Sequence, residues 1–188
     1  MKIILASQSI YRRQALDILG LKYDIIPSNI DESAIRHKNP MELAKLLSRA
    51  KAQKIGEDNL DSIIISADLF VVYGDEIIEK PKDTNQAKEM LEMFSGNTFD
   101  IITGLAVYNT KEDEMLSAVE SCRVRFRNLI DFEIDDYISR FPVLKCAGAF
   151  EADGLLRFAE YISGNYNFKA GMPVNRLVEF LRENGILV

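Results

Sequence analysis

Blocks of apolar and polar positions take turns along this chain, short strand-like runs followed by stretches of helical period, which is the pattern of an α/β protein. Residues 2–6 read as a strand, 9–19 as a helix closed by Gly20, and Tyr23 to Ile26 as a second strand ended by Pro27. Asn39 is a good cap and Pro40 suits a first helical position, so Leu43, Leu47 and Ala50 mark the next helix. Ser62 to Ala67 is continuously apolar apart from its hydroxyls and predicts a fully buried central strand. Phe70 to Tyr73 and Glu76 to Ile78 flank a hairpin-like turn at Gly74-Asp75. Ala87, Met90, Leu91 and Phe94 predict a helix that stops at Ser95-Gly96, and Thr98 to Tyr108 and Ser117 to Phe126 are long strands joined by a polar turn at Asn109 to Glu114. Ile134, Tyr137, Ile138 and Phe141 share a helix, Cys146 to Gly154 is irregular, and Leu155 to Ile162 reads as a strand. A last helix begins at Pro173, with Val174, Leu177, Val178 and Leu181 on one face, and ends before Gly185. No internal repeat or linker interrupts the 188 residues, and a single domain over 1–188, with the size for two lobes, is the economical reading.

Composition narrows the class. With 47% hydrophobic and 28% charged residues the chain has the make-up of an ordinary globular protein. No apolar run nears the roughly 18 to 20 residues that cross a bilayer, and Met1 to Ala6 is too short for a signal peptide, so the expectation is no membrane role and a cytoplasmic location. Two cysteines, Cys122 and Cys146, indicate neither a disulfide framework nor a zinc site. A formal net charge of −6 argues against binding a nucleic acid polymer, so a basic cluster here is a site for a small anion.

The opening carries such a cluster. The strand Ile3-Ile4-Leu5 empties into Ala6-Ser7-Gln8-Ser9-Ile10-Tyr11-Arg12-Arg13, a hydroxyl-bearing and doubly basic turn at a helix start. Unpaired backbone N–H groups, the hydroxyls of Ser7 and Ser9 and the guanidinium forks together suit a phosphate, although the same residues also read as an ordinary cap with solvated arginines. Asp68 follows the buried strand directly, where α/β folds gather ligands, and is a candidate metal ligand or general base, or simply a turn residue. Lys51 follows Ala44 and Leu47 at helical spacing and so lies beside the inward stripe, as a snorkelling stem or as a catalytic group. Lys80-Pro81-Lys82 puts two ammonium groups on a stiff turn, and Asp31-Glu32 pairs two carboxylates; charged turns of this kind are also ordinary surface. The single histidine, His37, lies in a polar segment, and no Gly-x-Ser-x-Gly pattern supports covalent hydrolase chemistry.

In chain order, Leu5-Ala6-Ser7-Gln8-Ser9 with Arg12, Asp31-Glu32, Leu43-Ala44 through Lys51-Ala52, Ala67-Asp68, Lys80-Pro81, Ser95-Gly96, Thr103-Gly104 and Ala147-Gly148-Ala149-Phe150 resemble the Maf family of nucleoside triphosphate pyrophosphatases. The resemblance implies a curved mixed sheet flanked by helices, with two lobes around a cleft as in inosine triphosphatase-like proteins. It implies hydrolysis of a nucleoside triphosphate between its α and β phosphates, with Mg²⁺ or Mn²⁺ as cofactor, and makes a homodimer plausible. Under it, Arg12, Lys51 and Lys80 neutralise phosphates, Ser7 holds one of them, Asp68 and Glu32 hold the metal, and Asp68 is the expected proton acceptor for water.

Departures from the commonest family pattern bear on substrate. Members acting on thymidine and uridine triphosphates read Ser-Pro-Arg-Arg where this chain has Ser9-Ile10-Tyr11-Arg12; they carry Thr at the position of Leu69 and Gln at that of Asp153. Cys146 to Phe150, the acidic residue before Gly154, and Phe126-Arg127 with Glu133 to Tyr137 resemble the branch that hydrolyses 7-methyl-GTP, although that branch has the longer Glu at position 153 and Pro at position 10. A 7-methylguanine base is cationic, so stacking on Tyr11 would contribute about 0.5 to 2 kcal/mol, and a carboxylate at Asp153 would accept both N–H donors of the guanine pairing edge. Tyr11 as a packing residue and Asp153 as a turn residue remain open. So do the alternatives of a dTTP/UTP pyrophosphatase and of a nucleotide-binding regulator of septum formation.

Overall fold

The computed structural model describes residues 1–188, with Tyr166 described by its backbone alone. In chain order the elements are β1 (Lys2–Leu5), α1 (Ile10–Ile18), β2 (Asp24–Ile25), α2 (Pro40–Gly56), β3 (Ser62–Tyr73), β4 (Glu76–Ile78), α3 (Thr84–Phe94), β5 (Thr98–Asn109), β6 (Glu114–Phe126), α4 (Asp131–Arg140), α5 (Ala152–Phe158), β7 (Ala159–Gly164) and α6 (Val174–Glu183). The seven strands make one mixed sheet in the order β2-β1-β3-β5-β6-β7, with β4 on β3. The chain divides into two compact units: Met1–Leu69, Thr103–Glu120 and Asn167–Val188 form one, Phe70–Ile102 and Ser121–Tyr166 the other. None of the helices is long and apolar enough to cross a membrane, among the described residues.

In the first unit β1 pairs in parallel with both β2 and β3, Leu5 lying opposite Ile25 and Ile65. Strand alternation sends Leu5, Ile63, Ile65, Ala67, Leu105 and Val107 to one face, where Ala15 and Leu16 of α1 and Leu177, Phe180 and Leu181 of α6 cover them. Ile4, Ala6, Ile64, Ala106 and Tyr108 go to the other face and meet Ala52 and Ile55 of α2. Helices on both faces explain why β3 reads as a continuous apolar run rather than an alternating one.

Helix α2 starts where its sequence says it should: the Asn39 side chain accepts from the N–H groups of Met41 and Glu42, and Pro40 occupies the first turn. It lies close against the sheet. A Cβ on Gly104 of β5 would fall 2.5 Å from the carbonyl oxygen of Ala44, so only glycine lets the helix backbone approach β5 this closely.

The second unit closes around aromatic rings. Phe94, Phe99, Phe126 and Phe150 pack with centroid separations of 4.4 to 6.0 Å, and Tyr137 and Phe158 extend the cluster. β3 and β4 form the expected hairpin about Gly74, Val72 opposite Ile77, and β7 pairs antiparallel with β6. Two expectations change. Leu155 to Phe158 are helical, not extended: α5 buries Gly154, Leu155 and Phe158 and exposes Leu156 and Arg157, a helical period too short to register against the strand that follows. β3 also continues past Ala67 to Tyr73, so Asp68 stands within the strand rather than after it.

Candidate active site

What makes the position of Asp68 special is its neighbour. β1 pairs with β3 only as far as Leu5 and Ile65, with one further bond from the Ala6 N–H to the Ile65 carbonyl, and then turns away into Ser7-Gln8-Ser9. Asp68 therefore lies three residues past the end of that parallel pairing, which is the equivalent, inside a long strand, of the carboxyl end of a short one. It is 8% exposed, and by alternation it shares the α2 face of β3 with Ile64 and Ser66.

Lys51 meets it there. Ala44, Leu47 and Lys51 are all buried, Lys51 at 7% exposure, so the helical spacing does place the lysine inward. Its Nζ lies 3.2 Å from Asp68 Oδ1 and 2.9 Å from Glu32 Oε1. Glu32 reaches in from a single helical turn at Glu32–Ala34, which Asp31 caps by accepting from the Ser33 N–H. Thus one ammonium is shared by two carboxylates, one buried and one largely exposed, and no solvated-stem reading of Lys51 survives. Asp68 Oδ2 is buried with no hydrogen-bond partner among the described residues.

Arg12 adds the second cation. It is half-buried, its Nε donates to the Gly171 carbonyl at 3.0 Å and its Nη1 to Ser7 Oγ at 2.9 Å. Burial pulls its pKa below the ordinary arginine value, while the charges of Asp68 and Glu32 push the other way, so the guanidinium lies within electrostatic reach of both carboxylates. Ser7 Oγ also accepts from the Ser9 N–H at 3.2 Å. Ser9 is the N-cap of α1, and its own side chain makes no capping hydrogen bond at this positive end of the helix dipole.

The structure thus brings Ser7, Arg12, Glu32, Lys51 and Asp68 into one cluster within the first unit. Tyr11 is half-buried in the first turn of α1, next to Arg12. Leu69 is half-buried and turned by alternation to the face opposite Asp68. Lys80 and Asp153 belong to the second unit; both are exposed, Lys80 just beyond β4 and Asp153 in the first turn of α5 rather than in an open turn. Two contributors are not among the residues singled out from the sequence. The Gly171 carbonyl is backbone and leaves no side-chain signal, whereas Ser66, a hydroxyl amid Ile65 and Ala67, donates to the Ser48 carbonyl of α2 and is legible as a polar residue in an apolar run.

A family model described as Maf-like protein matches residues 2–184. The chain belongs to the Maf-like protein family. A dTTP/UTP pyrophosphatase from Bacillus cereus is 35% identical to this Maf-like chain over 186 residues, 98% of the chain and 96% of that protein. A 7-methyl-GTP pyrophosphatase from Nitrosococcus oceani is 35% identical over 185 residues, 97% of the chain and 93% of that protein. The solved Ham1 protein of Staphylococcus aureus aligns with the Maf-like chain at a TM-score of 0.50 and 16% identity, over 98% of this chain and 100% of that one, a likeness of fold.

Proposed function

We propose that this protein hydrolyses a nucleoside triphosphate at the α–β phosphoanhydride, releasing the monophosphate and pyrophosphate. The observation that carries the reading is the buried Lys51 between Asp68 and Glu32, with Asp68 Oδ2 unpaired and Arg12 and Ser7 beside them. A tetra-anionic substrate attacked by water needs positive charge, donors for the phosphates and a group that aligns the water. Arg12, Ser7 and the positive end of the α1 dipole meet the phosphates, and Lys51 supplies charge at the carboxylates. The Asp68 carboxylate accepts the proton of the attacking water as the new P–O bond forms and the bond to the bridging oxygen breaks, the pair leaving with pyrophosphate.

The donor set fits a hard divalent cation. Asp68 offers a buried oxygen without a partner and Glu32 a second carboxylate, while no group of three or more His, Cys, Asp and Glu gathers among the described residues. A cation held by two protein carboxylates leaves its other positions to water and phosphate oxygens, as suits Mg²⁺ or Mn²⁺. When bound, it would polarise the phosphate oxygens and neutralise charge that develops on them.

For the base, 7-methyl-GTP is the substrate this reading favours, because the residue types at Tyr11, Leu69 and Asp153 depart from the pyrimidine branch, an aromatic ring suiting a cationic base by stacking and a carboxylate suiting its N–H donors. The second reading, dTTP or UTP, is favoured by the Bacillus cereus relative. Both belong to nucleotide turnover in the cytosol. The deciding experiment measures pyrophosphate release with Mg²⁺ or Mn²⁺ from 7-methyl-GTP, GTP, dTTP, UTP and CTP at equal concentration, on the parent and on Asp68→Asn. Preference for 7-methyl-GTP supports the stacking argument, and preference for dTTP or UTP overturns it while keeping the centre. Asp68→Asn is expected to bind nucleotide without releasing pyrophosphate; persistent hydrolysis refutes the assignment of Asp68. Release from none of the five leaves a nucleotide-binding regulator as the reading.

A further inference from the structure

Gly104 and the hydroxyl of Ser66 take no part in the chemistry just described, yet both meet the helix that carries Lys51. Ser66 is fully buried on β3 and donates from Oγ to the carbonyl of Ser48 in α2. That carbonyl lies within a regular helix, where it already accepts from the amide four residues on, so the hydroxyl adds a second bond to an acceptor with a spare lone pair. Ser48 turns its own hydroxyl to the Lys45 carbonyl at 2.9 Å, leaving its backbone oxygen as the contact with β3.

Register makes the contact consequential. Ser66 and Asp68 are two residues apart on one face of β3, about 7 Å along the strand. Ser48 and Lys51 are three residues apart on one helix, about 4.5 Å along its axis. A bond from Ser66 to Ser48 therefore fixes α2 against β3 within one turn of the Lys51–Asp68 pair. Gly104 supports it from β5, because a side chain there would strike the Ala44 carbonyl one turn earlier in the same helix. Lysine is a long, flexible side chain, and its ammonium stays on Asp68 Oδ1 at 3.2 Å only if the helix beneath it is held in depth and azimuth.

We infer that Ser66 is a positioning residue for the reaction: its hydrogen bond to the Ser48 carbonyl, backed by the close approach at Gly104, sets the height of α2 over the sheet and so holds Lys51 against Asp68. The inference rests on the pyrophosphatase reading for its kinetic form. Replacing Ser66 by Ala leaves a small apolar group where the strand is already dry, so the chain is expected to fold, with the Ser48 carbonyl keeping its helical bond.

The test compares parent, Ser66→Ala, Ser66→Thr, Lys51→Ala and Ser66→Ala with Lys51→Ala. In the parent background Ser66→Ala is expected to lower kcat roughly ten- to a hundredfold, the scale of a misplaced catalytic group, with KM changed less than about threefold. Ser66→Thr, which keeps the hydroxyl, is expected to recover most of kcat. In the Lys51→Ala background the same change is expected to cost less than about twofold, because a residue that acts through Lys51 has nothing left to position. An unchanged kcat, or losses that multiply in the double variant, overturns the inference. A second readout does not need turnover: the Lys51 ammonium signal in an isotope-edited NMR spectrum, assigned by its loss in Lys51→Ala. In Ser66→Ala its hydrogens are expected to exchange with water at least about tenfold faster. Should the parent release no pyrophosphate, the function proposed above fails, and this signal alone decides the positioning, unchanged exchange refuting it.

Discussion

Replacing Lys51 by Met keeps a buried, unbranched side chain of similar length and removes the ammonium. Asp68 and Glu32 then lose a partner at 3.2 and 2.9 Å, but the consequences differ. The Glu32 side chain is 54% exposed and is rehydrated at little cost, whereas that of Asp68 is 11% exposed and already has one oxygen without a partner. Stripping a buried pair of one member costs about 3 to 5 kcal/mol; the water available to Glu32 brings the expected loss here to about 2 to 3 kcal/mol. For a chain of this length that lowers Tm by about 5 to 10 °C. The assay is thermal and urea unfolding followed by circular dichroism, on the parent, Lys51→Met, and Lys51→Met with Asp68→Asn. Removing the stranded charge in the double variant is expected to return about half of the lost stability, because a neutral amide is far cheaper to bury than an unpaired carboxylate. A single variant within about 0.5 kcal/mol of the parent, or a double variant less stable than the single, would refute the account of Lys51 as the counter-ion of a buried Asp68.

Arg12→Lys exchanges a fork that serves Gly171 and Ser7 together for a point charge, and it is expected to raise KM for the triphosphate about tenfold or more while moving Tm little; steady-state pyrophosphate release checks it. Gly154→Ala puts a Cβ 1.8 Å from the hydroxyl oxygen of Tyr137, a group that also accepts from the Glu151 N–H, and is expected to cost at least about 1 to 3 kcal/mol in urea unfolding. Burial pushes the Tyr137 hydroxyl up to about 12 and the Cys122 thiol up to about 11, both above their ordinary values of 10.0 and 9.0. Each is neutral in the fold and ionises more readily once unfolded, so their contribution is complete below about pH 9 and is lost as pH rises toward about 12. Urea midpoints at pH 8 and pH 10.5 test the sign, the higher pH giving the lower midpoint.

Local patterns were enough for the α/β class, for the Asn39-Pro40 start of α2, for the Gly74 hairpin and for the inward placement of Lys51, since capping, turn chemistry and helical period act over a few neighbouring residues. The same reading took Leu155 to Phe158 for a strand, because one turn of helix offers too few positions to reveal its period. It also ended β3 at Ala67 and so put Asp68 just past the strand, when the strand in fact runs on to Tyr73 and it is β1 that stops. Which charges meet is a matter of long-range register. Only the fold brings Glu32 to a lysine nineteen positions away, lays the Gly171 carbonyl on Arg12, and leaves Asp68 Oδ2 buried without a hydrogen-bond partner among the described residues. Sequence alone determined the α/β class and the local elements, because residue type and spacing fix local conformation; the tertiary structure decided which charged residues share one buried point, because burial and distance between remote segments are properties of the packed chain.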